Sequence, residues 1–113
     1  MAKKTIKKLK PNLTVSCLGR KVPVTFVNPK TASLGEGNLG EFTSLPLGIE
    51  IDETLSPESK RRVLVHEMTH AALALSGLAG YHLTEMVEES ICTVMESAFE
   101  DIHNALNQIK VEE

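Results

Sequence analysis

A chain of 113 residues, 42% of them hydrophobic, has room for one small domain and one core. Five of its 12 basic residues fall in the first ten positions, and the remainder sets 7 basic against 15 acidic residues, a balance of −8. So acidic a body argues against a nucleic-acid binder, and no apolar run approaches the length of a membrane span.

The chain opens with "MAKKTIKKLK", which is charged and lacks the apolar stretch of a secretory signal. Residues 1–11 read as a basic arm and 12–113 as a single domain. The lysines Lys3, Lys4, Lys7, Lys8 and Lys10 could touch phosphate or headgroups, but a solubilising terminus is the plainer reading. Four aromatics and no Trp leave the core to aliphatic residues and Met. Cys17 and Cys92 are far apart and share no motif, which suits two free thiols in a reduced, cytoplasmic setting.

Two β-rich runs follow, Leu13–Leu18 and Lys21–Asn28, with a short gap that suggests a hairpin. Val22, Val24 and Phe26 alternate with Lys21, Pro23 and Thr25, the period of a half-buried strand. Pro23 predicts an edge position or a bulge. "PKTASLGEGNLG" reads as loop. A short strand near Phe42 and another at Gly48–Asp52 come next, and the latter could offer an open edge to an extended peptide. Ser56 as N-cap, Pro57 at the first helical position and Glu58 in the first turn start a helix. Gly77 and Gly80 stop it near Ser76. Its second half is apolar almost all round, which predicts burial. Thr84 caps a second helix that runs to about Ile109. Strands followed by helices predict an α+β domain: a small N-terminal sheet of three to four strands packed on two main helices.

The first helix carries "VLVHEMTHAAL". At about 100° per residue, His66 and His70 stack on one face, where two imidazoles can bind one zinc ion. Glu67 beside them suits the general base that takes a proton from a metal-activated water. The plain alternative is a helix with polar residues at its surface. The apolar flanks weigh against it, because burying two His and a Glu unpartnered costs several kcal/mol.

Such a site needs a third protein ligand, and no Cys appears near enough. The second helix offers Glu85, Glu88 and Glu89. An apolar stripe centred on Ile91 places Glu88 about 60° off its middle and Glu89 about 160° away, which favours Glu88. Small neighbours that let two helices approach, Ser90 and Cys92, favour Glu89.

From "LGEFTSLPLGIEID" through "LVHEMTHAAL" to "EESICTVM", the chain resembles a minimal gluzincin. It is similar to the thermolysin-like plan and, more closely, to small phage and prophage ImmA/IrrE-like metallopeptidases. In that plan a small residue stands three positions after the ligand glutamate, as Cys92 does after Glu89. The resemblance therefore implies Zn²⁺ held by His66, His70 and Glu89, with Glu67 as catalytic base and a peptide or protein as substrate. It also implies a His, Tyr or Arg that steadies the oxyanion. Tyr81 and His82 lie in the right region, and His82 is the residue assigned that catalytic role. Loop surface is the bland reading of both. His103 reads as a surface residue. Two other classes stay in view: a catalytically silent zinc-containing module that docks a partner, and a metal-free structural protein.

Overall fold

The computed structural model describes residues 11–30, 34, 37–109 and 111. The lysine-rich segment 1–10 lies outside the described residues.

The alternating stretch forms strands as expected. Strand β1 (Leu13–Cys17) and strand β2 (Arg20–Val27) pair antiparallel, with Cys17 opposite Arg20. Leu18 and Gly19 join them at φ 49° and 79°. Positive φ at both turn residues matches the right-handed twist of the strands. Strand β3 (Gly40–Ser44) and strand β4 (Leu47–Asp52) pair antiparallel around a cis Leu45–Pro46 bond. The sheet order is β1-β2-β4-β3, and β2 and β4 run parallel.

This order corrects two expectations. β2 lies between β1 and β4, so Pro23 is at neither an edge nor a bulge. The parallel ladder starts one residue later, at Val24 opposite Ile49, so the missing N–H of Pro23 is not demanded by it. β4 is likewise interior, so it offers no open edge, and the edge strand on its side of the sheet is β3.

Helix α1 (Pro57–Leu75) begins where Ser56 Oγ accepts the Ser59 N–H at 3.2 Å, with Pro57 in the first turn. Its buried residues Val63, Glu67 and Ala71 recur every four positions and face the sheet. Beneath them lie Val22, Val24, Ile49 and Ile51, all essentially inaccessible. Helix α2 (Glu85–Leu106) begins where Thr84 Oγ1 accepts the Val87 N–H at 3.2 Å. It ends three residues before the predicted Ile109, capped by Asn107. Among the described elements α2 packs on α1 alone, so the layers run sheet, α1, α2. That leaves the third side of α1 uncovered. Leu64, Val65 and Met68 there form an apolar groove of about 400 Å³ with Met95 and Phe99, so the all-round burial predicted for α1 is met only towards the sheet and α2. No described helix is long and apolar enough to cross a membrane.

Candidate metal centre

His66 and His70 lie one turn apart on the α1 face turned to α2, with ring centroids 5.1 Å apart. Antiparallel packing of the helices brings three glutamates of α2 against them. Glu89 spans the pair: its Oε1 is 2.5 Å from His66 Nε2 and its Oε2 is 3.1 Å from His70 Nε2. The other nitrogens have separate partners. His70 Nδ1 is 2.6 Å from Glu88 Oε2, and His66 Nδ1 is 3.0 Å from Glu96 Oε1.

Each ring therefore has a carboxylate at both nitrogens. A carboxylate at Nδ1 is the kind of outer partner that orients a metal-binding histidine. Both Nε2 atoms face Glu89 oxygens at a separation that a ring proton or a metal ion would bridge. Donors about 2.0–2.1 Å from a tetrahedral ion lie about 3.3 Å from one another. The Glu89 contact to His70, 3.1 Å, is close to that spacing, and the one to His66, 2.5 Å, is shorter and would have to open to admit an ion. The set His–His–carboxylate fits a borderline divalent cation such as zinc.

Cys92 adds a donor that the sequence reading set aside. It sits on α2 three positions after Glu89, fully buried against α1. Its Sγ and one nitrogen from each of His66 and His70 lie within 4.8 Å of one another, close enough to hold a metal ion. The expectation that no cysteine is near enough is therefore corrected. The spacing held the signal: residues three and four apart on a helix share a face. Burial, then the carboxylates of Glu89, Glu88 and Glu67, push the thiol up to about 12. In the metal-free chain it stays protonated at neutral pH. Glu96, which the sequence reading missed, lies seven positions after Glu89 on the same face, two turns on.

Glu67 lies beside the histidines in the seam between α1 and β3, and is 7% exposed. Burial raises its carboxyl above the usual carboxylate range. His70, His66 and a hydrogen bond from the Phe42 backbone pull it down, and Glu89 adds to the rise. The Phe42 N–H is available because of the sheet register. Leu39 accepts from the Asp52 N–H, so alternate residues of β3 pair with β4, and the polar groups of Gly40 and Phe42 face the open edge.

An open cleft of about 550 Å³ lies between that edge and the helices, lined by Asn38, Gly40, Phe42, His66, Glu67, His70 and the α2 glutamates among others. Tyr81 and His82 are not brought to it. Both are exposed on the turn between the helices, with Tyr81 at 87%. His103 is exposed late on α2, stacked on Phe99. No Tyr, Arg or Lys lines the cleft among the described residues, and Asn38 is the one side-chain amide there.

The sequence matches no protein-family model and no curated protein.

Proposed function

We propose that the chain is a zinc-dependent metallopeptidase that hydrolyses peptide bonds. The observation that carries this reading is the convergence of both Nε2 atoms on Glu89, with buried Glu67 beside them in an open cleft. His66, His70 and Glu89 would hold the ion, and Glu88 and Glu96 orient the two rings. Bound zinc supplies acidity to a coordinated water and polarises a carbonyl. Glu67 takes the proton of the attacking water on its carboxylate and hands it to the leaving amine. Its raised affinity for a proton suits that exchange. The outward N–H and C=O of Gly40 and the outward C=O of Phe42, whose N–H is held by Glu67, give an extended peptide a strand to pair with. The resemblance to small phage and prophage metallopeptidases adds to this, and cytoplasmic placement follows from the same likeness and the free thiols.

A second reading is a catalytically silent, metal-containing module that docks a partner. The cleft lining favours it on one point, since it holds no Tyr, Arg or His beyond the two proposed ligands to steady an oxyanion among the described residues. Glu67→Gln separates the two. A peptidase loses hydrolysis of a peptide library by about 10²-fold or more while zinc content is unchanged. A biological effect that survives the substitution, with no cleavage by the unaltered chain, defeats the enzyme reading.

A further inference from the structure

We propose that the cleft takes cationic peptides: extended segments that carry lysine or arginine beside the bond to be cleaved. The inference rests on the peptidase reading above and names the substrate class of the same site. Six of the chain's 15 acidic residues line this one concave surface: Glu41, Glu67, Glu85, Glu88, Glu89 and Glu96. No Lys or Arg among the described residues lines it with them. The four glutamates on α2 alone outweigh a bound divalent ion by two charges. A concave surface of one sign focuses the field and draws ligands of the opposite sign.

The two walls of the cleft ask different things of one ligand. β3 offers backbone: the N–H and C=O of Gly40 and the C=O of Phe42 face outward, where an extended peptide can pair with them. Alternate side chains of that peptide then stand on the helix side of the sheet, towards α2. α2 offers carboxylates. Glu85 and Glu96 are about 16 Å apart along the helix at 1.5 Å per residue, a length that an extended peptide covers in about five residues. Along that wall Glu88, Glu89 and Glu96 meet ring nitrogens of His66 and His70. Glu85 meets neither ring. It is exposed in the first turn of α2, and its carboxylate pairs with no described residue. A first-turn acid complements the helix dipole, as Glu58 does on α1 outside this cleft. Glu85 does so and lines the cleft as well, which leaves it as the carboxylate free to receive a basic side chain.

Three fluorescent peptides that share one alanine-rich core and differ only in flanking Lys, Gln or Glu test this. Binding to the metal-free chain, where no turnover interferes, is expected to be about tenfold tighter for the Lys peptide than for the Gln peptide, with the Glu peptide weakest. Added salt should erase most of that margin. Glu85→Gln should weaken the Lys peptide about threefold and Glu85→Lys about tenfold, with the Gln peptide held within about twofold. Glu85→Gln serves as the second variant should lysine disturb the first turn of α2. Asp101→Lys, exposed on α2 outside the cleft, changes the net charge as much as Glu85→Lys and should move Lys-peptide binding by less than about twofold. The zinc-loaded chain should cleave the Lys peptide with the highest kcat/KM. Equal binding of the three peptides, binding of none, or the same loss from Asp101→Lys as from Glu85→Lys overturns the inference, and hydrolysis of all three alike does so while upholding the peptidase. Lysine-selective binding with no hydrolysis by the zinc-loaded chain removes the peptidase reading and leaves the cleft a docking site for basic segments.

Discussion

The Nδ1 of His70 and a carboxylate oxygen of Glu88 are 2.6 Å apart. That contact divides the work of two adjacent glutamates. Glu88 holds the far side of one ring, and Glu89 faces the near side of both. Loss of an outer partner typically lowers metal affinity by about 10–100-fold. Glu88→Ala and Glu96→Ala should fall in that range, and Glu89→Ala should lose more. Zinc affinities from competition with a chelator check this. If Glu88→Ala proves the more damaging of the neighbouring pair, the assignment of roles is reversed.

The cap of α2 sits four residues before Glu88, so it should affect the site as well as the fold. Thr84→Ala removes the acceptor for the Val87 N–H and should cost about 1 kcal/mol. Ser56→Ala removes the matching acceptor at the start of α1, ten residues before His66, at a similar cost. Both should lower the melting temperature by several degrees, and Thr84→Ala should weaken zinc binding more. Equal effects on binding would show that the first turn of α2 does not position its glutamates.

The buried carboxyl of Glu67 makes stability depend on pH. Its proton affinity is raised in the folded chain, so between the unfolded value near 4.5 and the higher folded one the native state binds more protons. Metal-free stability from this group therefore falls as pH rises through that window. Above the window the charged, desolvated carboxylate is a standing cost. Glu67→Gln, which keeps an oxygen to accept the Phe42 N–H, should be more stable than the unaltered apo chain at neutral pH. The gain should shrink as pH drops below 4.5. Thermal melts of the two apo proteins across pH measure it, and a gain that grows towards acid sinks the argument.

The spacing of His66, Glu67 and His70 made the first half of the site legible, because a helix fixes which residues share a face. The second half was harder. The apolar stripe of α2 predicted its buried side, yet Val87, Val94 and Ile102 remain 45%, 63% and 43% exposed. α2 meets only α1, and it does so through Cys92 with Glu88, Glu89 and Glu96 around it. The stripe's order for the neighbouring pair holds in burial, with the Glu88 side chain 21% exposed and that of Glu89 56%, yet both carboxylates contact the histidines, so burial does not choose the ligand between them. The strands were visible from alternation and turn residues. Their order was not, because a parallel β2–β4 pair with β3 outside leaves no local mark.

Gly40 governs how near β3 can come to α1. A Cβ there would lie 2.4 Å from Val63 Cγ1, 3.1 Å from Glu50 O and 3.3 Å from Glu67 Cγ. The first distance is a clash, and Val63 is a stiff, buried, β-branched residue with little room to turn. Gly40→Ala should force α1 off the strand, at about 1–3 kcal/mol for overpacking. The shift falls where Glu67 meets the Phe42 N–H, so hydrolysis should drop through kcat more than KM while zinc content holds. Val63→Ala clears the space, and the double variant should be more stable than the sum of the two single losses predicts. Denaturant melts of the four proteins close that cycle. Simple additivity would mean that the strand, rather than the helix, gives way at Gly40, and that the seam does not set the position of Glu67.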